Sequence, residues 1–270
     1  MIQLTLQNKL ITLDKQIVLF KDLGLIDYKA AWDEQERLFQ QNVGIKSFLR
    51  RNEIDRELLV FQPQIPDDIA VTPLIEPAAK TTHYLLFCEH LPVLTLGKSG
   101  HPENILITEA EMELRGIQYF KTNRGGDITF HGPQQIVGYP IIDLDKFYTD
   151  IGKYLRSLEE VIILTMAAYG IKGERSKGET GVWMDAGIPG QERKICAMGV
   201  RCSRWITMHG FAFNVNTDLD YFNTIIPCGI ENKKVTSLQK ELGYALDFAE
   251  VKDKVKDNFE KVFSVALHDF

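Results

Sequence analysis

Two side chains in this sequence have the types and settings that nucleophilic catalysis requires. Cys228 stands between Pro227 and Gly229, so a sharp turn could present its thiol where a strand ends. An ordinary thiol, with a pKa of about 8.5, is mostly protonated at neutral pH and needs a base or a cation nearby. Lys194 is the candidate, because a desolvated lysine can take a thiol proton and return it later. Without further context, a buried cysteine and a solvated lysine remain the common alternatives.

A glycine-rich stretch at residues 124–140 reads RGGDITFHGPQQIVGYP. Glycine is favoured where the backbone must reach positive φ or closely approach another group. The stretch follows a strand-like segment and leads into an apolar run from Ile136, so it predicts strand, tight turn and strand. Such a turn would gather backbone amides, Arg124 and His131 around one concavity. Two polar β-turns without a functional role are the alternative.

Three further segments extend this pattern. They are RKICAMGV at 193–200, TMHGFAFNV at 207–215 and IIPCGIE at 225–231. Together with the glycine-rich stretch, in this order and spacing, they resemble the octanoyltransferases of lipoate synthesis over roughly residues 27–238. One departure lies in the first motif, where the family usually has glycine at the position of Gln134.

The resemblance implies acyl transfer in two steps, with neither a cofactor nor a metal ion. Cys228 would take the octanoyl group from octanoyl acyl-carrier protein as a thioester, with proton transfers assisted by Lys194. The acceptors would be lysines in the lipoyl domains of 2-oxoacid dehydrogenases and in the glycine cleavage H protein. Backbone amides would hold the oxyanion in both steps.

The resemblance also implies a substrate-binding surface made of three segments. Small residues there would let the substrate approach the backbone, while Met198 and Phe211 could line an acyl tunnel. His131 is interpreted as a positioning hydrogen-bond partner, since the Cys–Lys pair already suffices for proton transfer. The implied binding residues are Arg124, Gly125, Gly126, Asp127, Ile128, Thr129, Phe130, His131, Ala197, Met198, Gly199, Gly210, Phe211 and Ala212.

Cys196 is a rival nucleophile. Side chains alternate along a strand, so Lys194 and Cys196 should share one face and Ile195 should point to the other. Cys196 lacks a Pro-x-Gly turn, however, and the nucleophile of the resembling family aligns with Cys228. We therefore favour Cys228.

These residues are also compatible with two other classes of protein. An ATP-dependent lipoate-protein ligase of the same fold would adenylate the free acid and need no nucleophilic cysteine. Its glycine-rich stretch normally lacks the His-Gly-Pro found here. A non-catalytic lipoyl-domain-binding protein would not need Lys194 and Cys228 together.

Composition limits the remaining possibilities. The 270 residues are 44% hydrophobic and 25% charged, as in an ordinary soluble globular protein, and we expect a single catalytic domain over 1–270. No apolar run could span a membrane, and no signal-peptide pattern is evident, so a cytoplasmic location is predicted. Four cysteines without C-x-x-C spacing argue against a disulfide framework and a zinc site. The net charge of −6 disfavours nucleic-acid binding.

Acidic partner proteins would then require a local basic surface. Six cations lie in the two segments expected beside the site, and we expect them to form a basic rim. They are Arg193, Lys194, Arg201, Arg204, Lys233 and Lys234.

Hydrophobic periodicity predicts the elements that hold these residues. Helices are expected at about 27–51, 150–169 and 248–266, and strands at 1–20, 82–96, 117–122, 181–183, from 194 and at 205–215. The proline-rich segment 61–80 is expected to be an extended loop. The pattern indicates an α+β protein, and the resemblance implies the catalytic domain of biotin and lipoate protein ligases, a mixed β-sheet flanked by helices.

Overall fold

The computed structural model describes residues 15–60, 80–226 and 234–270, with side chains as far as Arg51 in the first range. Most of the predicted N-terminal strand region, the predicted loop at 61–80 except its last residue, and Cys228 lie outside these ranges. The strands are β1 (Gln16–Ile26), β2 (His83–His90), β3 (Val93–Leu96), β4 (Gln118–Lys121), β5 (Ile128–His131), β6 (Gln135–Ile141), β7 (Val182–Met184), β8 (Arg193–Ser203), β9 (Ile206–Asn214), β10 (Lys234–Val235) and β11 (Val265–Asp269). The helices are α1 (Tyr28–Val60), α2 (Glu109–Leu114), α3 (Ile151–Ala167), α4 (Leu238–Leu242) and α5 (Phe248–Phe263).

A large mixed sheet is the centre of the described fold. Its strand order is β10-β8-β9-β6-β2-β1-β11, and β7 pairs with β8 beside this path. The pairs β1/β2, β1/β11 and β8/β10 are parallel, and the other pairs are antiparallel. This mixture of parallel and antiparallel strands agrees with the predicted α+β class.

Helices cover both faces of the large sheet. On one face, α3 and α5 form a core with residues such as Leu158, Phe259 and Phe213. The Asp150 side chain caps α3 by accepting a hydrogen bond from the Lys153 amide. On the other face, α1 packs its apolar stripe against a second core. None of the described helices is long and apolar enough to cross a membrane.

A smaller three-stranded sheet lies beside the large one, in the order β4-β3-β5. Its core includes Leu94, Ile128, Phe130 and Phe222. The glycine-rich stretch links the two sheets, because its His-Gly-Pro turn lies between β5 of the small sheet and β6 of the large one. The two sheets therefore meet where the sequence predicted a site.

Candidate active site

The loop between β4 and β5 packs closely between the end of β3 and strand β8. The Gly125 amide donates to the Val200 carbonyl over 2.9 Å. A Cβ atom on Gly199 would lie 2.5 Å from the Gly125 oxygen, and one on Gly97 would lie 2.2 Å from the Gly126 oxygen. Backbone could not approach backbone this closely if these positions carried side chains.

Arg124 fastens this loop to β3. Its side chain is buried, and Nη2 donates to the Thr95 carbonyl at 2.5 Å and to Thr95 Oγ1 at 2.9 Å. Its Nη1 donates to the Gly125 carbonyl at 3.1 Å. The guanidinium thus holds the backbone that forms one wall of the site.

Asp127 has a similar structural role at the other end of the loop. One carboxylate oxygen accepts from the Ile128 amide at 2.7 Å and from the His101 amide at 3.1 Å. The other accepts from Asn104 Nδ2 at 2.7 Å. Asp127 therefore positions its own segment and the loop after β3.

His131 is buried and uses both ring nitrogens. Gln135 Nε2 donates to the Phe130 carbonyl and to Asn214, so Gln135 Oε1 must accept from His131 Nδ1, at 2.9 Å. His131 Nε2 is then the acceptor for Thr95 Oγ1, at 3.3 Å. Burial holds the pKa of His131 well below its usual value, so the ring is neutral. A neutral, doubly hydrogen-bonded imidazole fits the positioning role expected for it.

The His-Gly-Pro segment forms a tight turn at residues 132–135. The Gln135 amide donates to the Gly132 carbonyl at 3.3 Å, with Pro133 second and Gln134 third in the turn. Gln134 has φ of 62°, the left-handed conformation that a type II turn requires at this position. This requirement explains why glycine suits the position, and the Glu89 carboxylate supports the turn by accepting from the Gln134 amide at 2.6 Å.

Lys194 points into the site from β8. Its side chain is half-buried, and Nζ lies 4.5 Å from the centroid of the Trp183 ring. A cation over an indole face is electrostatically favourable, so this contact helps to place the amine. The backbone of Lys194 is held by β7 on one side, and its carbonyl accepts from the Thr236 amide at 2.9 Å.

The expected shared face of Lys194 and Cys196 is wrong. Opposite β7, Trp183 pairs with Lys194 and Val182 pairs with Cys196, which leaves Ile195 as an extra residue of β8. Such a bulge breaks the two-residue alternation. Lys194 consequently lines the site, whereas Cys196 is fully buried in the core beside α3, where burial raises the pKa of its thiol.

These segments enclose a cavity of about 480 Å³ between the two sheets. It brings together most of the predicted site residues. They are Arg124, Gly125, Gly126, Asp127, Ile128, Thr129, His131, Lys194, Ala197, Met198, Gly199, Gly210, Phe211 and Ala212.

Phe130 lies elsewhere. Thr129 and His131 alternate with it along β5, and its ring stacks on Tyr221 at 4.7 Å in the core of the small sheet. Cys228 is outside the described residues. Among those described, no group of three or more His, Cys, Asp or Glu side chains could hold a metal ion.

Comparison with known proteins decides the family. The lipoyl protein ligase A/B catalytic domain matches residues 74–260. The octanoyltransferase of Christiangramia forsetii is 52% identical over 248 residues, which cover 92% of this chain and 96% of that protein. The octanoyltransferase of Flavobacterium johnsoniae is 52% identical over 256 residues, covering 94% of this chain and 100% of that protein. This chain belongs to the octanoyltransferase family. It is therefore an acyltransferase, as its motifs predicted.

Solved structures confirm the fold expected for this family. A bipartite lipoate protein ligase from Thermoplasma acidophilum superposes with a TM-score of 0.60 at 15% identity, covering 95% of this chain and 86% of that one. A lipoate-protein ligase A bound with ATP has the same TM-score of 0.60 at 14% identity, with coverages of 95% and 88%. Identities this low show the fold alone.

Several residues of this octanoyltransferase-family site were missed by sequence reasoning. His209 lines the cavity with φ of 58°, and its Nε2 lies 2.7 Å from Asn123 Oδ1. Burial lowers its pKa to about 3. Its place directly before Gly210 in a recognised motif was the available signal. Tyr28, Val137 and Tyr139 also line the cavity, but they read as ordinary core residues.

The expected basic rim is neutralised only in part, because two of its six cations form ion pairs within the protein. Arg193 forms ion pairs with Asp185 and, at 2.6 Å, with Glu241. Arg201 pairs with Glu36 at 2.9 Å. These arginines stabilise the protein's own elements and offer little free charge to a partner. Of the other four, Arg204 bonds to Ser47, Lys194 lines the cavity, Lys234 is exposed, and Lys233 lies outside the described residues.

Proposed function

We propose that Cys228 carries the octanoyl group as a thioester between donor and acceptor, with Lys194 as its partner. Octanoyl transfer in protein lipoylation follows from the family to which the chain belongs. The observation that supports these two residues is that Lys194 lines the cavity together with Phe222 and Val235, which flank the segment holding Cys228.

The described residues at both ends of that segment are linked to residues that line the cavity. The Ile226 amide donates to the Asn104 carbonyl at 2.8 Å, in the loop that Asp127 also holds. On the other side, Val235 is the β10 partner of Lys194. These attachments of the flanking residues support our assignment of the Cys228 thiol to this site.

The reaction would proceed in two balanced steps. The Cys228 thiolate attacks the thioester carbonyl of octanoyl acyl-carrier protein, and the carrier thiol leaves with a proton. The amine of a lipoyl-domain lysine then attacks the enzyme thioester, forms an amide and releases the Cys228 thiol. Lys194 would stabilise the thiolate and transfer the protons. The donor thioester is already activated, so neither ATP nor a metal ion would be needed.

The cavity suits an alkyl chain beside this chemistry. Apolar residues are prominent in its lining, among them Val137, Met198, Val200 and Phe211. Buried apolar surface favours an alkyl substituent by about 0.8 kcal/mol for each methylene group.

We further propose that residues 1–270 act as one catalytic domain in the cytoplasm. The acceptors would be the lipoyl domains of 2-oxoacid dehydrogenases and the glycine cleavage H protein.

Mapping the acyl adduct tests the nucleophile. The purified protein is mixed with octanoyl acyl-carrier protein, and the modified peptide is identified by mass spectrometry. We expect the octanoyl mass on Cys228, no thioester adduct with Cys228→Ser, and most activity retained by Cys196→Ala as the control. An adduct on Cys196 would contradict the assignment.

The same assay separates transferase from ligase chemistry. Transfer from the acyl-carrier donor should be indifferent to ATP and should survive a chelator. A strict requirement for ATP together with free octanoate would favour an ATP-dependent ligase.

A further inference from the structure

A row of paired residues crosses the large sheet beneath the cavity. Ala197 pairs with Ala212, Ala212 with Val137, and Val137 with Cys88, on the four neighbouring strands β8, β9, β6 and β2. Directly paired residues share a face of a sheet, and the first three line the cavity. Their side chains are small, so they form the floor of a channel that runs across the strands.

The channel floor has the length of a medium acyl chain. Neighbouring strands lie about 4.8 Å apart, so the two steps from Ala197 to Val137 span roughly 10 Å. An extended eight-carbon chain, with C–C bonds of about 1.5 Å, is roughly 9 Å long. The floor begins at Ala197 on β8, the strand that also carries Lys194 three positions earlier. The thioester end of the acyl chain is therefore placed at the β8 end of the channel.

Aromatic side chains lie at the other end of the channel, next to β2. Tyr28, the first residue of α1, lines the cavity and is 2% exposed. Its ring centroid lies 5.1 Å from that of His90, two residues after Cys88 on β2, and 6.1 Å from that of His131. Tyr139 lines the same end, where its hydroxyl lies 2.7 Å from His90 Nε2.

We propose that the Tyr28 ring stops the methyl end of the acyl chain and thereby sets the preferred chain length. This inference rests on the proposed function, since it places the thioester beside Lys194. The ring is held on several sides, because Trp32 and Phe120 also pack on it, at 6.1 Å and 5.2 Å between centroids. A stop packed this closely cannot yield to a longer chain without losing those contacts.

The bulk of the ring, and not its hydroxyl, makes the stop. Within the described part of the chain, the Tyr28 hydroxyl forms no hydrogen bond, so Tyr28→Phe preserves both the shape and the packing. A substitution in the channel floor can test the opposite change, a preference for shorter acyl chains. Ala212 is 4% exposed in the middle of the row, and Ala212→Val would shorten the channel with a side chain that a strand accommodates.

The experiment measures initial rates of acyl-enzyme formation with hexanoyl, octanoyl, decanoyl and dodecanoyl acyl-carrier proteins. Tyr28→Ala should raise the ratio of dodecanoyl to octanoyl rates by about tenfold or more, the discrimination that a single methylene can provide. Tyr28→Phe should keep the wild-type ratio, whatever its absolute rate. Ala212→Val should raise the ratio of hexanoyl to octanoyl rates.

Each result has a separate meaning. A folded Tyr28→Ala protein with the wild-type ratio overturns the proposal, as does a shifted ratio in Tyr28→Phe. If Tyr28→Ala does not fold, Tyr28→Leu replaces it with the same expected direction and the same criterion. Failure of the wild-type protein to form any acyl-enzyme would contradict the proposed function instead, because the chain-length ratios presuppose that intermediate.

Discussion

Lys194 shows how much a single residue depends on its neighbours. A strand that alternated regularly would bury its side chain with Cys196, but the extra residue Ile195 lets it reach the cavity. There Gly181 lies directly behind it, since a Cβ on Gly181 would be 3.5 Å from Lys194 Cε. The Lys194 side chain is thus held between the backbone and the Trp183 ring, which agrees with the role that we propose for it.

Lys194→Arg separates charge from proton transfer. Arginine keeps the positive charge but stays protonated at neutral pH, so it cannot act as a base. We expect the transfer rate to fall by about 10²-fold or more, the usual scale of general acid–base catalysis. Steady-state transfer to a lipoyl domain measures the loss. Lys234→Arg is the matched control, because Lys234 is exposed on the adjacent strand β10. Near-wild-type turnover of Lys194→Arg would mean that charge alone is sufficient.

Among the elements, the turn at residues 132–135 joins the two sheets. Gln134 has φ of 62°, and its carbonyl accepts from the Asn216 amide at 3.2 Å and from Thr217 Oγ1 at 3.0 Å. Its side-chain Oε1 accepts from Asn216 Nδ2 at 2.8 Å. The turn is therefore tied to the segment after β9, and the hydrogen bonds of Gln134 compensate for its left-handed backbone.

The change in the free energy of unfolding on substituting Gln134 should depend on the strain of its left-handed backbone as well as on its side-chain hydrogen bond. Gln134→Val places a β-branched side chain at positive φ, and we expect it to lower the free energy of unfolding by roughly 1–3 kcal/mol. Gln134→Gly loses one hydrogen bond but relieves the strain, so it should change the free energy by less than about 1 kcal/mol. Urea unfolding followed by circular dichroism measures both. Equal losses for the two variants would show that the side-chain bond dominates.

For the whole molecule, buried histidines couple stability to pH. Burial lowers the pKa of His83 to about 4, that of His90 to about 4 and that of His209 to about 3. It also holds the pKa of His131 well below the usual value. In the unfolded chain each would titrate near 6.5. Below that pH the unfolded state binds more protons than the folded state, so acid favours unfolding.

We therefore expect the free energy of unfolding to fall steadily as the pH decreases from about 6.5 towards 4. At pH 5, His83, His90 and His209 should each cost about 2 kcal/mol relative to pH 7, and His131 should act in the same direction. Urea midpoints at several pH values measure the slope. His83→Gln removes one titrating group and should reduce the loss at pH 5 by about 2 kcal/mol. A slope that His83→Gln leaves unchanged would show that other groups control acid unfolding.

The sequence by itself determined the family, the α+β class and the main local elements. The periodicity of α3 and α5 and the His-Gly-Pro turn were readable, because each depends on residues close together in the chain. Most of the residues predicted to bind substrate also line the cavity, and the resemblance carried them as contiguous motifs.

Only the tertiary structure decided which of those residues meet. The channel floor combines Val137, Ala197 and Ala212 from three strands, and Tyr28 comes from a helix far earlier in the chain. The bulge at Ile195 and the ion pairs of Arg193 likewise depend on partners contributed by other segments. Strand pairing and helix packing bring together residues distant in sequence, and no local periodicity records which partner each residue acquires.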